Sequence, residues 1–208
     1  MLKPNDVRDS RPPVFCISLP RNGTLSLAAA FAALGWKSFH APLHLEPEWY
    51  DQPGAFFSDT PVYAPELFEA LDQKYPAARF IYVSRSVASW LASVQGSKVA
   101  DCVSRHPVDL WCYEHVLAVP PFDAKVWAEK YRAHQRAVLS YFAGRSNFLS
   151  LSLDSLTWEP LCRLVGVESP GISFPRLNPQ MVCGTNGPSW EEWTRSQAAS
   201  RARENLRI

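Results

Sequence analysis

Four side chains in the first half of the chain are of the kinds that handle anions and protons, and each stands at or directly behind the end of a short apolar run. Arg21 follows Val14 to Leu19, His40 closes Trp36 to His40, Asp59 follows Ala55 to Ser58, and Arg85 follows Arg79 to Ser84. A guanidinium clamps phosphate or sulfate oxygens with directed N–H donors. A carboxylate or an imidazole takes a proton from an attacking hydroxyl or amine. Two cations and two proton acceptors at one place would serve the transfer of an anionic group to a nucleophile. Whether they meet depends on the elements that carry them.

The stretch VFCISLPRNGTLS, Val14 to Ser26, reads as a buried strand, a break at Pro20 and Gly23, and the start of a helix. Leu27, Phe31 and Leu34 continue at helical spacing, and Gly35 stands where a helix ends. A strand, a tight loop and a helix in this order aim free backbone N–H groups and the helix dipole at one point, where an anion fits. Trp36 to His40 and Ala55 to Ser58 read as further strands, with irregular surface between Ala41 and Gly54. Pro65 to Tyr75 reads as a helix with Phe68, Leu71 and Tyr75 inward, and RFIYVS, Arg79 to Ser84, as a central strand apolar on both faces.

Ser86 is placed to cap the next helix, whose apolar face is Val87, Trp90, Leu91 and Val94 and which carries a stripe of Ser86, Ser89, Ser93 and Ser97. Lys98 to Phe122 reads as a short helix and a loop, with Trp111, Tyr113 and Phe122 as candidates to line an acceptor pocket. Asp123 caps a long helix ended by Gly144, Phe148 to Leu153 reads as a final core strand, and a short helix carries Leu161, Leu164 and Val165. Alternating strands and helices predict an α/β fold, three layers (α/β/α) around a mainly parallel sheet. Such sheets bind ligands beyond the C-terminal ends of their strands, so the topology brings Arg21, His40, Asp59 and Arg85 to one edge.

The 208 residues suit a single domain, 1–208, with 1–13 a flexible lead-in and 196–208 a charged tail. The formal net charge is +1, so no global field favours nucleic acid or an anionic membrane, and anion binding must be local. The N-terminus lacks the apolar core of a secretory signal and no run is long enough to span a bilayer, which points to the cytoplasm. Cys16, Cys102, Cys112, Cys162 and Cys183 form no CxxC pair and read as reduced thiols. His40 and His44 have no third ligand at a fitting spacing, so no metal site is expected.

An ATP or GTP enzyme would carry GxxxxGK[ST] in its loop. Here the first glycine is missing, Thr24 follows Gly23 where lysine is required, and Arg21 precedes the glycine. A phosphoryl-transfer enzyme using ATP therefore stands as an alternative only. Pro20-Arg21-Asn22-Gly23-Thr24 after one strand, with Arg85 and Ser93 eight residues apart after another, instead resembles the sulfotransferase family. The resemblance continues through Tyr75 to Ile81, Tyr131 to Phe142, and WEPLCRLVGVESPGISFPRLN from Trp158 to Asn178, and it covers most of Val14 to Asn178 as a divergent branch.

That resemblance implies a P-loop-like nucleotide-transferase fold and 3′-phosphoadenylyl sulfate (PAPS) as co-substrate, with no metal required. Arg21, Asn22, Gly23, Thr24, Leu25 and Ser26 would hold the 5′-phosphosulfate, and Arg85 and Ser93 the 3′-phosphate. Arg21 stands where well-known members have lysine; it clamps by hydrogen bonding but does not give up a proton. Position 26 lacks the Trp that stacks on adenine in some members. The base is open between Asp59, favoured by its place after the strand that bears the family's base, and His40, of a residue type suited to proton transfer near neutrality. The expected reaction moves a sulfuryl group to a hydroxyl or amine of a small molecule or carbohydrate. A nucleotide-binding module of the same fold without catalysis is the other alternative.

Overall fold

In the computed structural model, which describes residues 10–96, 107–117 and 122–177, five short strands pair side by side, all in parallel. They are β1 (Val14–Cys16), β2 (Lys37–His40), β3 (Ala55–Ser58), β4 (Arg79–Ser84) and β5 (Phe148–Ser152), in the order β2-β3-β1-β4-β5. Parallel neighbours need crossovers, and helices supply most of them. They are α1 (Thr24–Ala33), α2 (Pro65–Lys74), α3 (Val87–Gly96), α4 (Pro107–His115), α5 (Ala124–Tyr141) and α6 (Trp158–Val165).

Side chains alternate across the sheet and divide the core in two. Val14, Cys16, Phe56, Ile81 and Val83 pack with Leu27 and Phe31 of α1 and Leu161 of α6. Phe15, Phe57, Phe80 and Tyr82 face the other way, onto Phe68 of α2, Trp90 of α3 and Trp127, Tyr131 and Val138 of α5. This is the expected three-layer arrangement. On the second face Phe39, Phe57, Phe15 and Phe80 stack across four strands at centroid spacings of 5.2, 5.4 and 5.5 Å, which pins the strand register. From β1 the chain goes to the edge at β2, returns inward through β3, and then crosses to β4 and β5 on the other side, so the connections change direction at β1. Ligand sites open beyond the strand ends at such a reversal.

Several expectations need correction. β1 ends at Cys16 rather than Leu19, although Ile17 N–H still donates to Ile81 O at 2.9 Å. β5 is the sheet's edge, not a core strand: Leu149 and Leu151 pack inward while Ser150 and Ser152 are exposed or nearly so. The FLSLS alternation is that of a strand covered on one face. The stretch between Ala41 and Gly54 is not all irregular surface, because a 3₁₀ turn at Pro47–Tyr50 sends Tyr50 fully into the core against Phe15 and Phe57. Arg11 to Pro13 are tied down: Arg11 lies 4.0 Å over the Trp36 ring, and Arg11 O and Pro13 O accept from Gly54 and Arg79 N–H. Residues 1–9, the tail 196–208, Ser97, Cys102 and Cys183 lie outside the described residues.

Trp111 and Phe122 are half-buried against the α3–α5 core and Tyr113 is buried in it. The same half holds a buried ion pair. Asp72 of α2 receives both terminal nitrogens of Arg145 at 2.5 and 2.6 Å and the Tyr141 hydroxyl at 3.0 Å, which fastens the end of α5 to α2. Burial pushes the thiols of Cys16 and Cys112 up to about 11 and about 12, so both are neutral and poorly reactive at ordinary pH. Among the described residues no helix is long and apolar enough to cross a membrane.

Candidate active site

The loop after β1 turns through two left-handed residues, Arg21 (φ 71°) and Gly23 (φ 79°). Gly23 cannot be replaced freely, because its left-handed backbone strains any side chain, and a Cβ there, 2.6 Å from Leu153 Cδ1, would also have to push that side chain aside. No side chain caps α1, and its first internal bond runs from Leu27 N–H to Gly23 O at 3.0 Å. The N–H groups of Thr24, Leu25 and Ser26 therefore have no acceptor inside the helix. Asn22 is fully buried, does not line the cleft, and has both side-chain polar atoms without a partner among the described residues.

In front of this loop lies a cleft of about 730 Å³ beyond the C-terminal ends of β3, β1, β4 and β5. Arg21, His40, Asp59 and Arg85 all reach it, as the strand order requires. So do Gly23, Thr24, Leu25, Ser26 and Ser93. Arg21, Asp59 and Ala41 (φ 52°), each just beyond a strand of this edge, have left-handed backbones that cost a non-glycine residue about 1 kcal/mol or more. Strain gathers where the chemistry-bearing side chains are aimed.

Arg21 Nε donates to Ser93 Oγ at 3.2 Å. Arg85 Nη1 donates to the Arg21 carbonyl at 3.2 Å and its Nε to Ser89 Oγ at 3.0 Å, and Nη2 also points to Ser89 Oγ. Both guanidiniums thus lean on the serine stripe of α3. Among the described residues no carboxylate lies within ion-pair distance of either. Burial pulls the Arg21 guanidinium below its ordinary value, the Asp59 carboxylate pulls it back up, and the nearby Arg85 cation pushes it down again. Two neighbouring cations held by neutral acceptors make a place for a multiply charged anion.

At the other end of the cleft, Asp59 Oδ1 accepts from Thr60 N–H at 2.9 Å and Oδ2 accepts the Thr24 hydroxyl at 2.7 Å. His40 Nε2 lies 3.8 Å from the same Oδ2, and His40 Nδ1 lies 3.1 Å from Ser58 Oγ. The two side chains between which the sequence leaves the base open therefore meet at one point. His40 is 27% and Asp59 15% exposed, so the imidazole is the more open to an incoming group.

Three participants escape a reading of the sequence. Ser89 stands one helical turn from Arg85, and the serine stripe is its only signal. Arg176 reaches the cleft from the segment after α6, held by a bond to Leu156 O at 3.2 Å, and nothing in the Pro- and Gly-rich sequence there marks it. Leu177 N–H donates to Ser26 Oγ at 2.9 Å and so ties that segment to α1. The Ser26 hydroxyl is thereby engaged at the cleft wall.

A family model described as a sulfotransferase domain matches residues 48–182. That span includes Asp59, Arg85, Ser89 and Ser93, while the Arg21–Ser26 loop precedes it. No curated protein matches the sequence. Among solved structures, a sulfotransferase from Alicyclobacillus acidocaldarius is similar at 17% identity and a TM-score of 0.52, over 93% of this chain and 94% of that one. A retinol dehydratase in complex with retinol and PAP is more distant, at 13% identity and a TM-score of 0.41, over 90% of this chain and 64% of the other.

Proposed function

We propose that the chain, which belongs to the sulfotransferase family, moves a sulfuryl group from PAPS to a hydroxyl or amine of a small molecule or carbohydrate. The observation that carries the reading is the Arg21–Arg85 cluster, without a carboxylate partner among the described residues, facing the uncapped start of α1 across one cleft, with His40 and Asp59 beside it. The residues fit a nucleotide bearing phosphates at two places. The N–H groups of Thr24 to Ser26 would receive the 5′-phosphate. Arg85, with Ser89 and Ser93, would receive the 3′-phosphate.

Sulfuryl transfer forms a bond from the acceptor oxygen or nitrogen to sulfur and breaks the bond from sulfur to the bridging phosphate oxygen, which leaves with the electron pair. The protein's part is to position the groups and to stabilise the charge that develops on that oxygen. Arg21 would do this as a fixed cation, so no proton passes to the leaving oxygen from this side chain. The proton of the acceptor would go to His40 Nε2. The engaged oxygens of Asp59 favour that assignment: they already hold Thr60 N–H and the Thr24 hydroxyl, which leaves the carboxylate, 3.8 Å from Nε2, to balance the imidazolium while the Ser58 hydroxyl at Nδ1 orients the ring.

Thermal shift with adenosine 3′,5′-bisphosphate against ATP with magnesium tests the donor. Stabilisation by the bisphosphate and none by ATP is expected, and the reverse would falsify the reading. With ³⁵S-labelled donor, transfer or hydrolysis should fall at least ~100-fold in His40→Asn while bisphosphate affinity stays within about twofold. Bisphosphate binding without turnover by the unaltered chain would leave the non-catalytic module as the better description.

A further inference from the structure

The backbone groups at Pro20 and Arg85 lie just past the ends of adjacent central strands, where the sheet ladder no longer supplies partners. Pro20 O accepts from the indole Nε1 of Trp90 at 2.9 Å. Arg85 N–H donates to the Tyr131 hydroxyl oxygen at 2.9 Å, and the same hydroxyl donates back to Arg85 O at 2.9 Å. One O–H with its lone pairs thus serves both polar groups of a single peptide residue, as a neighbouring strand otherwise would. The two rings touch, with centroids 4.8 Å apart, and Trp127 lies 5.8 Å behind Trp90. Trp90 and Tyr131 are 0% and 1% exposed, so the two side chains reach the half-buried Pro20 and Arg85 from the dry side of the core.

We infer that Tyr131 and Trp90 are positioning residues of the anion site: from α5 and α3 they hold the backbones of Arg85 and Pro20 and so fix the spacing of the two guanidiniums. The inference rests on the reading of Arg85 as a phosphate ligand. The Arg85 side chain in turn bonds the Arg21 carbonyl, so the two loops are joined both at the back, through the stacked rings, and at the front, through the guanidinium. Burial raises the Tyr131 phenol above its ordinary value, which keeps the hydroxyl a donor throughout the neutral range. Without the hydroxyl, Arg85 N–H and C=O lose their shared partner, and the strand end is free to turn the side chain away. Without the indole N–H, the Pro20 carbonyl loses its anchor.

Tyr131→Phe keeps the ring and removes only the hydroxyl. Calorimetric titration should show adenosine 3′,5′-bisphosphate binding about tenfold more weakly to this variant, with under threefold loss toward adenosine 5′-monophosphate, which lacks the phosphate assigned to Arg85. In an Arg85→Ala background the same substitution should add less than twofold, because the residue it positions is gone. Trp90→Phe should weaken both nucleotides alike. An equal loss for both nucleotides in Tyr131→Phe, or a full tenfold loss on top of Arg85→Ala, overturns the inference and leaves Tyr131 as packing. Amide hydrogen exchange without any nucleotide reads the brace directly. Tyr131→Phe should speed exchange at Arg85 at least tenfold while Phe80 to Val83 stay protected, and no change at Arg85 also overturns it. A chain that binds no bisphosphate but shows this exchange change keeps the brace and loses the donor assignment.

Discussion

Arg145 and Arg85 are the same residue in opposite settings. Arg145 spreads both terminal nitrogens over the carboxylate of Asp72, and those bonds raise its pKa above the ordinary value. Arg85 has one serine hydroxyl, that of Ser89, and one backbone carbonyl, and its neighbour Arg21 is destabilised as a cation by burial. Arg145 fastens α5 to α2 at the far end of the sheet, beside the start of β5. Arg85 stands over the cleft at the opposite end, beyond the end of β4. A cation bonded to a carboxylate within the fold is part of the scaffold; one that leans only on neutral acceptors is, on the proposed function, the one that takes an anion from outside.

The first way to break this contrast is to remove the scaffold pair. Arg145→Met leaves Asp72, which is 8% exposed, without its countercharge. Losing one partner of a fully buried pair costs 3 to 5 kcal/mol, and because Arg145 is a third exposed the lower end, about 3 kcal/mol, is expected in urea denaturation. Bisphosphate affinity measured under folding conditions should stay within about twofold. A large affinity loss at unchanged stability would mean that the two arginines do not divide the work as described.

Arg85→Ala is the converse. Bisphosphate affinity should fall about 50-fold, the worth of charge-assisted bonds to one phosphate, while stability changes by no more than about 0.5 kcal/mol. A gain in stability would fit best, since it would show that the Arg21–Arg85 repulsion is carried by the fold for the sake of the ligand. Titration calorimetry and a denaturant series on the same preparation separate the two effects.

What the sequence revealed follows the same division. Strand-end residues were legible: an apolar run followed by Arg21, Asp59 or Arg85 marks the ligand edge of a parallel sheet, and one loop grammar with one Arg–Ser spacing narrows the chemistry. The fold was legible for the same reason, since a run such as RFIYVS admits few environments. Pairings that exist only after folding were not. Asp72 and Arg145 are 73 residues apart, and Thr24 and Asp59 are 35 apart. Tyr131 is another such case, because nothing local in the sequence records that its hydroxyl meets Arg85. In Phe148 to Leu153 the serine at every second position already describes a strand with one face uncovered, whereas its place at the edge of the sheet is set only by the topology.

The smallest effect concerns a second matched pair, His40 and His134. His40 is open to the cleft, whereas His134 of α5 is 4% exposed, wedged among Tyr63 and Tyr82 with its Nε2 bonded to Tyr63 O at 2.9 Å. Its Nδ1 has no partner among the described residues, and burial pulls its pKa down to about 4, only partly countered by the bond to Tyr63. The neutral form is therefore native, while the unfolded chain takes up a proton near the ordinary histidine value of about 6.5. Between those two values the unfolded state binds more protons, so unfolding free energy rises with pH there and is lost as pH falls. From pH 6.5 to about 5, before the carboxylates titrate, the loss should be about 1.5 kcal/mol in unfolding free energy from denaturant series. A flat profile over that range would mean that His134 is solvated or paired as a cation, and that the packed half of the molecule is not as dry as its scaffold arginine requires.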